Sequence, residues 1–303
     1  MRSKKNKIRQ CTSDRVFTAV ILFIVFIVLI LTIYPVYYVL VASFAEPRVV
    51  NNGNILLYPV GFSLRGYQRV FSESRVFTGY MNTIFYTFCG VLFGLAMCLP
   101  AGYALSRKDV PLRGLIMGIL VFTMYFGGGA IPFFILTRNL GLMNTRLVLI
   151  IYGGVSVYNI ILIRTFFQNQ IPGELLEAAF IDGCGNAQFF FKIALPLSKA
   201  IISVIGLYLA VGYWNNYYNA MMYVSDNRKW PLQLYLKELL ASAESAALRQ
   251  ADDLEGDSNA TAAYYAQTVK YGLIVVSTVP LFCLYPFIQK FFTKGVMIGS
   301  LKG

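Results

Sequence analysis

The sequence predicts an all-α membrane protein with six transmembrane helices. Of its 303 residues, 57% are hydrophobic and 13% charged, whereas a soluble domain carries roughly 25% charged residues. Six apolar runs come near or exceed the roughly 20 residues that a helix needs to cross a bilayer. None of the six contains an Asp or Glu; the charges gather between them.

The first run, Val16–Ala42, follows a basic N-terminus, residues 1–15. That start looks like a secretory signal. The run is longer than the roughly 7–15 residues of a signal core, and no small-residue cleavage site follows, so it reads as a retained helix. The second run is Phe77–Leu105, where Gly90 and Gly94 form a GxxxG spacing that lets helix backbones approach closely. The third is Leu112–Leu136. Gly127–Gly129 with Pro132 predicts a break in it, a hinge or a bend around a pathway. The fourth, Leu147–Ile163, is the shortest; the fifth is Ala200–Tyr223 and the sixth Val269–Gln289.

Charge orients these spans. Segments 1–15, 106–113, 164–199 and 290–303 hold 15 Lys and Arg in 73 residues, against 10 in the 88 residues of 43–76, 137–146 and 224–267. The richer set belongs on the cytoplasmic side, which puts both termini there. The net charge of +12 therefore reflects membrane orientation. Nothing resembles the basic groove or stacking platform of a nucleic-acid binder.

Several functions are excluded by what is missing. With no histidine, the chain alone builds no Ser-His-Asp or Cys-His catalytic set and no zinc site with His ligands. Cys11, Cys89, Cys98, Cys184 and Cys283 are scattered without a CxxC pair and read as inert thiols. Proton-coupled carriers place carboxylates inside the membrane, and these spans have none. No GxxxxGK[ST] occurs, so no ATP-binding Walker loop is expected. Sodium coupling through backbone carbonyls stays open, and energy for uphill transport is expected from a partner.

The spans do carry neutral polar groups. Asn82 and Tyr86 near the start of the second, and Trp214, Asn215, Asn216 and Tyr217 near the end of the fifth, combine amides with aromatic faces. Such groups suit sugar hydroxyls and ring faces, and are candidates for a substrate path. They equally suit an aromatic belt with interhelical hydrogen bonds.

The segment Ile171–Pro196, IPGELLEAAFIDGCGNAQFFFKIALP, is the most informative. Pro172 suits the first position of a helix. Glu174 falls in the first turn, where a carboxylate meets the positive end of the dipole. Gly183 suits a left-handed terminator, and Asn186 a second N-cap. The expected product is a short helix lying at the membrane surface. Glu177-Ala178-Ala179, three residues, Gly183, nine residues, Ile193, one residue and Leu195-Pro196 reproduce the EAA loop pattern. On this motif the chain resembles ABC importer permeases from about Tyr80 to the C-terminus. The ending FFTKGVMIGSLKG, residues 291–303, is similar to the tails of maltose-type sugar permeases.

The resemblance implies a type I ABC importer transmembrane domain with a cytoplasmic coupling helix, its core at 77–290, and a carbohydrate, most often an oligosaccharide, as substrate. It implies a second permease subunit, two ATP-binding subunits that hold ATP and Mg, and an extracytoplasmic solute-binding protein. Glu177, Ala178, Ala179 and Gly183 would form the coupling contact. Ile193, Leu195 and Pro196 would fix the return into the fifth span. The tail from Lys294 would also touch the ATPase pair. A bacterial plasma membrane is implied, and no catalysis by this chain.

Outside the match, residues 224–267 are long for a hairpin loop. Leu232, Tyr235, Leu236, Leu239, Leu240, Ala243 and Ala247 share one helical face, expected to pack on the protein's own bundle rather than to meet a binding protein. Asp252–Asn259, DDLEGDSN, departs from the EF-hand order and reads as an exposed acidic turn. Arg48, Arg65, Arg69 and Arg75 would favour acidic saccharides, or simply form a solvated face. An ABC permease for another solute such as a peptide, and a membrane scaffold that uses the loop to hold a cytoplasmic partner, remain the alternatives.

Overall fold

The computed structural model describes residues 12–46, 50, 58, 61–252 and 269–283, by backbone alone at 243–244 and 246–252. Among the described residues every regular element is helical. The chain forms two compact units, 1–69 with 246–275 and 70–245 with 276–303.

In the first unit, α1 runs over Thr12–Ser43, 32 residues. Its apolar side chains from Val16 to Tyr34 are exposed, as a lipid-facing helix requires. Only its last turn is covered. Val41, Ala42, Ala45 and Val50 pack together with Tyr38 and Tyr271. A short helix, α2, follows at Arg65–Ser72.

The second unit is built on α3, Ser74–Ser106, 33 residues. Next come α4 (Arg113–Tyr125) and α5 (Ala130–Asn139), then α6 (Arg146–Ile151) and α7 (Val157–Gln170). The loop helix α8 is Gly173–Ile181. It is followed by α9 (Asn186–Leu197) and α10 (Lys199–Trp214), bent by 81°. Next come α11 (Tyr218–Tyr223), a 3₁₀ turn at Asn227–Lys229 and α12 (Leu232–Asp252). Helix α13 is Val269–Cys283.

Small residues decide how closely α3 is approached. A Cβ on Gly90 would stand 2.2 Å from Cζ of Tyr213, and one on Gly94 2.6 Å from the carbonyl oxygen of Gly154. A Cβ on Gly102 would stand 2.4 Å from Ile163 Cγ2, and Cys98 between them is fully buried. The GxxxG spacing thus continues as a four-residue stripe, 90-94-98-102, against which α7 and α10 lie. Lipid is as apolar as leucine, so fit rather than transfer from water holds such helices together. Ile163, Ile205 and Phe189 complete this core without exposed surface.

The expected spans are modified at three places. Among the described residues two helices, α1 and α3, are long and apolar enough to cross a membrane, or up to four if each bent pair is one span. The predicted break in the third span is present: α4 and α5 meet at 111° around Gly127–Gly129. The fourth expected span is also broken, between α6 and α7, where Gly153 takes φ +103°. The fifth ends at Trp214 instead of Tyr223. The Asn215 side chain donates to the Val211 carbonyl (3.0 Å) and Asn216 Oδ1 accepts from the Asn219 amide (3.2 Å). Asparagines so placed compete with the helix ladder. Residues 284–289 of the sixth expected span lie outside the described residues.

Candidate functional site

Helix α8 begins one residue later than expected. Pro172 is its N-cap, and Glu174 does fall in the first turn. Its far end is a Schellman turn. Gly183 takes φ +79°, its amide donates to Phe180 O (3.0 Å), and the Cys184 amide donates back to Ala179 O (2.9 Å). Only glycine adopts this conformation without strain, and a Cβ there would meet open space, so the constraint is conformational rather than steric. The next helix is capped by Gly185, not by the side chain of Asn186, which is its first residue.

The helix has two unlike sides. Ala179 is buried, and Leu175, Leu176 and Cys184 pack against the core of the unit. Glu177 and Ala178 are exposed. Phe180 is 41% exposed, Ile181 87% and Phe191 64%. These side chains are left uncovered by the other described residues.

Beyond Gly185 the chain climbs back through α9. Its middle, Phe190–Ala194, is a π turn in which the Leu195 amide reaches Phe190 O. The wide turn lies directly before Pro196, whose ring would crowd an ordinary ladder. Ile193 and Leu195 pack on the core, while Pro196 is exposed. Ser198, fully buried, donates to Ala194 O (2.7 Å) at the 81° corner into α10.

A residue the sequence reading overlooked anchors α8. Arg107, one residue past α3, has a side chain 8% exposed. It pairs through two hydrogen bonds with Asp109 (Nε–Oδ1 2.8 Å, Nη2–Oδ2 2.6 Å) and donates to the Tyr103 hydroxyl (3.1 Å). Its guanidinium carbon also stands 5.5 Å from the Phe180 ring centroid. The hydrogen bond to Asp109 raises the guanidinium pKa further, against burial, and the same bond lowers that of the Asp109 carboxyl. An Arg-x-Asp just after an apolar run was the signal available. Arg107, Lys108, Arg113, Gln168 and Glu177 line an open hollow of about 750 Å³ beside the helix.

The expected path residues fall into two groups. Asn82 is buried and donates to Arg228 O (2.8 Å) and Trp230 O (3.0 Å). Tyr86 donates to Lys229 O (2.8 Å) and Trp214 Nε1 to Ser277 O (2.9 Å). Their polar atoms are occupied in holding the segment 228–230 and α13. Asn215 and Tyr217 are exposed and Asn216 half-buried, all at the break after α10. Lys237 Nζ stands 4.7 Å from the Tyr217 ring centroid.

The side chain of Asp226 caps the 3₁₀ turn and pairs with Arg228 (3.1 Å) and Lys229 (3.7 Å). The hydrogen bond from Arg228 lowers its pKa. Lys229 Nζ donates to Asn144 O (2.7 Å). In α12, Leu232, Leu234 and Leu236 are buried, so the start of this helix packs on its own protein as expected, with Leu234 added to the face. Arg75 pairs with Glu73 (3.5 Å). Arg48, most of Asp252–Asn259 and the tail from Lys294 lie outside the described residues. Within them no cluster of three His, Cys, Asp or Glu is placed to hold a metal.

The helical bundle thus carries a glycine-terminated loop helix, α8, packed on its core by one side. Residues 90–227 match the family described as binding-protein-dependent transport system inner membrane component. The chain is 39% identical over 266 residues to the polygalacturonan/rhamnogalacturonan transport system permease protein YtcP of Bacillus subtilis, covering 88% of this chain and 91% of that protein. It is 36% identical to protein LplC of the same organism, over 88% of each. A solved chain from a bacterial ABC transporter involved in the import of the acidic polysaccharide alginate aligns with a TM-score of 0.83 and 34% identity, over 94% of this chain and all of that one. The chain belongs to this family of ABC transporter permeases. It is a membrane transport subunit, not an enzyme.

Proposed function

We propose that the chain forms half of the translocation path of an ATP-driven importer for sugars or oligosaccharides, acidic ones included, with α8 as its coupling helix. Its spans number six and both termini are cytoplasmic, by the distribution of Lys and Arg. Its partners are a second, different permease chain, two ATPase subunits that bind ATP and Mg, and an external solute-binding protein. The substrate class rests on the relatives, whose names specify polygalacturonan, rhamnogalacturonan and alginate.

The observation that carries the coupling role is the two-sided character of α8. Ala179 is fixed in the core while Glu177, Ala178 and Ile181 project outward. A helix held from behind and bare in front transmits displacement. When ATP draws the two ATPase subunits together, a cleft gripping Glu177–Ile181 carries α8 with it. The corner at Ser198 passes that movement to α10. Gly183 keeps the helix short, and Ile193, Leu195 and Pro196 set the return. Of the candidate path residues, Asn215, Asn216 and Tyr217 have the exposure to meet solute. Asn82, Tyr86 and Trp214 frame them.

The test uses the complete transporter in proteoliposomes. ATP hydrolysis is measured with binding protein loaded with an oligogalacturonide or with a peptide. Stimulation by the sugar alone is expected; stimulation by the peptide alone refutes the substrate class. Gly183→Pro should abolish uptake while the complex still assembles. Normal uptake by that variant would make the loop a tether rather than a lever.

A further inference from the structure

Three helices of the bundle are interrupted after similar lengths. Helix α4 has 13 residues before the break at Phe126–Gly129, α10 has 16 before the break at Asn215, and α7 has 14 after the break at Tyr152–Ser156. At 1.5 Å per residue these are about 20, 24 and 21 Å. Unwound backbone at membrane depth survives only when buried in protein or lining a water-filled cavity, and transporters build binding sites from such interrupted helices.

A single cleft touches the breaks after α4 and after α6 and the first turn of α11, which follows the break after α10. It measures about 520 Å³ and is lined by Gly129, Phe133, Tyr152, Gly153, Tyr218 and Asn219 among others. This volume lies in the ordinary range of small-molecule sites. Tyr152 is fixed. Its hydroxyl shares a hydrogen bond with Thr137 Oγ1 (2.6 Å), and its ring meets those of Tyr223 (centroids 5.2 Å) and Phe133 (6.3 Å) edge-on. Tyr218 and Asn219 stand in the opposite state. Tyr218 is 48% exposed. No hydrogen bond ties its hydroxyl or the Asn219 side-chain amide to another described residue. Rigid rings, an uncommitted hydroxyl and amide, and no Lys, Arg, Asp or Glu in the lining make a neutral amphipathic slot.

We propose that this cleft is a sugar-ring subsite of the translocation path. Tyr218 stacks on the C–H face of one pyranose unit, and the Asn219 amide bonds its hydroxyls. The subsite rests on the sugar-importer reading given above and goes beyond it by choosing Tyr218 and Asn219. Being uncharged, it reads ring faces and hydroxyls, and leaves the carboxylates of a uronate chain to other parts of the transporter.

The experiment measures uptake and binding-protein-stimulated ATP hydrolysis in the reconstituted complete transporter, for wild type, Tyr218→Ala, Tyr218→Phe and Asn219→Ala. Uptake of an oligogalacturonide should fall at least tenfold in both alanine variants, with stimulated hydrolysis kept within twofold. Tyr218→Phe, which keeps the ring, should recover most of the uptake. A wild-type complex that moves no sugar defeats the importer reading itself. A wild-type complex that moves sugar alongside unchanged alanine variants overturns the subsite alone. Loss of both uptake and hydrolysis in Tyr218→Ala but not in Tyr218→Phe assigns the ring to packing, and equally overturns it.

Discussion

The guanidinium of Arg107 covers the ring of Phe180 at 5.5 Å. This ties the end of the longest helix of its unit to the exposed shoulder of α8. Because Asp109 holds the guanidinium by two hydrogen bonds, the ring rests on a fixed plate. Arg107→Ala should therefore uncouple the transporter, lowering sugar uptake several-fold per ATP hydrolysed while assembly persists. Arg107→Lys should recover little, since an ammonium cannot reproduce the planar paired contact. The ratio of uptake to hydrolysis checks this.

The same pair fixes a pH window. The folded-state pKa of Asp109 lies below the ordinary carboxylate value of about 3.9. Its contribution is fully present above that value and is lost only as pH falls through the lower, folded one. Coupling should thus be flat between about pH 5 and 8 for wild type, as read by uptake per ATP. Asp109→Asn should show the weakened ratio at every pH.

Glycines at the α3 stripe and glycines in open space should respond oppositely to alanine. Gly90→Ala forces a methyl into the Tyr213 ring, whose hydroxyl is anchored on the Ile150 carbonyl. Overpacking of this kind costs roughly 1–3 kcal/mol. Gly118, with nothing within 4 Å, should tolerate alanine. Thermal unfolding of the detergent-solubilised complex separates the two.

Gly183→Ala places a Cβ at φ +79° and should weaken α8 by about 1–2 kcal/mol. Asn, which accepts this conformation more readily, should lose less. Amide exchange at Cys184, whose N–H closes the turn on Ala179, reports the change directly.

Asn82→Leu leaves the carbonyls of Arg228 and Trp230 without their donor. An unsatisfied buried group costs about 1–3 kcal/mol. The variant should unfold earlier yet rank oligosaccharides as wild type does. A changed ranking would return Asn82 to the solute path.

Much of this was legible in the residues. The apolar runs located α1 and α3, and Gly127–Gly129 announced the break between α4 and α5. The EAA spacing located α8 and its glycine stop. The interruptions after α6 and α10 were not legible from apolar length. A Gly153-Gly154 pair and an Asn215-Asn216 pair scarcely change the hydropathy of a window, although each diverts backbone hydrogen bonds. The roles of Asn82, Tyr86 and Trp214 escaped for a different reason. Amide and indole groups suit a solute and a neighbouring carbonyl equally well, and only the fold reveals that Lys229, Arg228 and Ser277 have claimed them. Arg107 was counted toward membrane orientation, where a charge has a sign but no partner.

Ile181 is 87% exposed at the end of α8. If α8 docks on an ATPase subunit as proposed, a copy without that neighbour would leave this apolar side chain uncovered, and assembly would hide it.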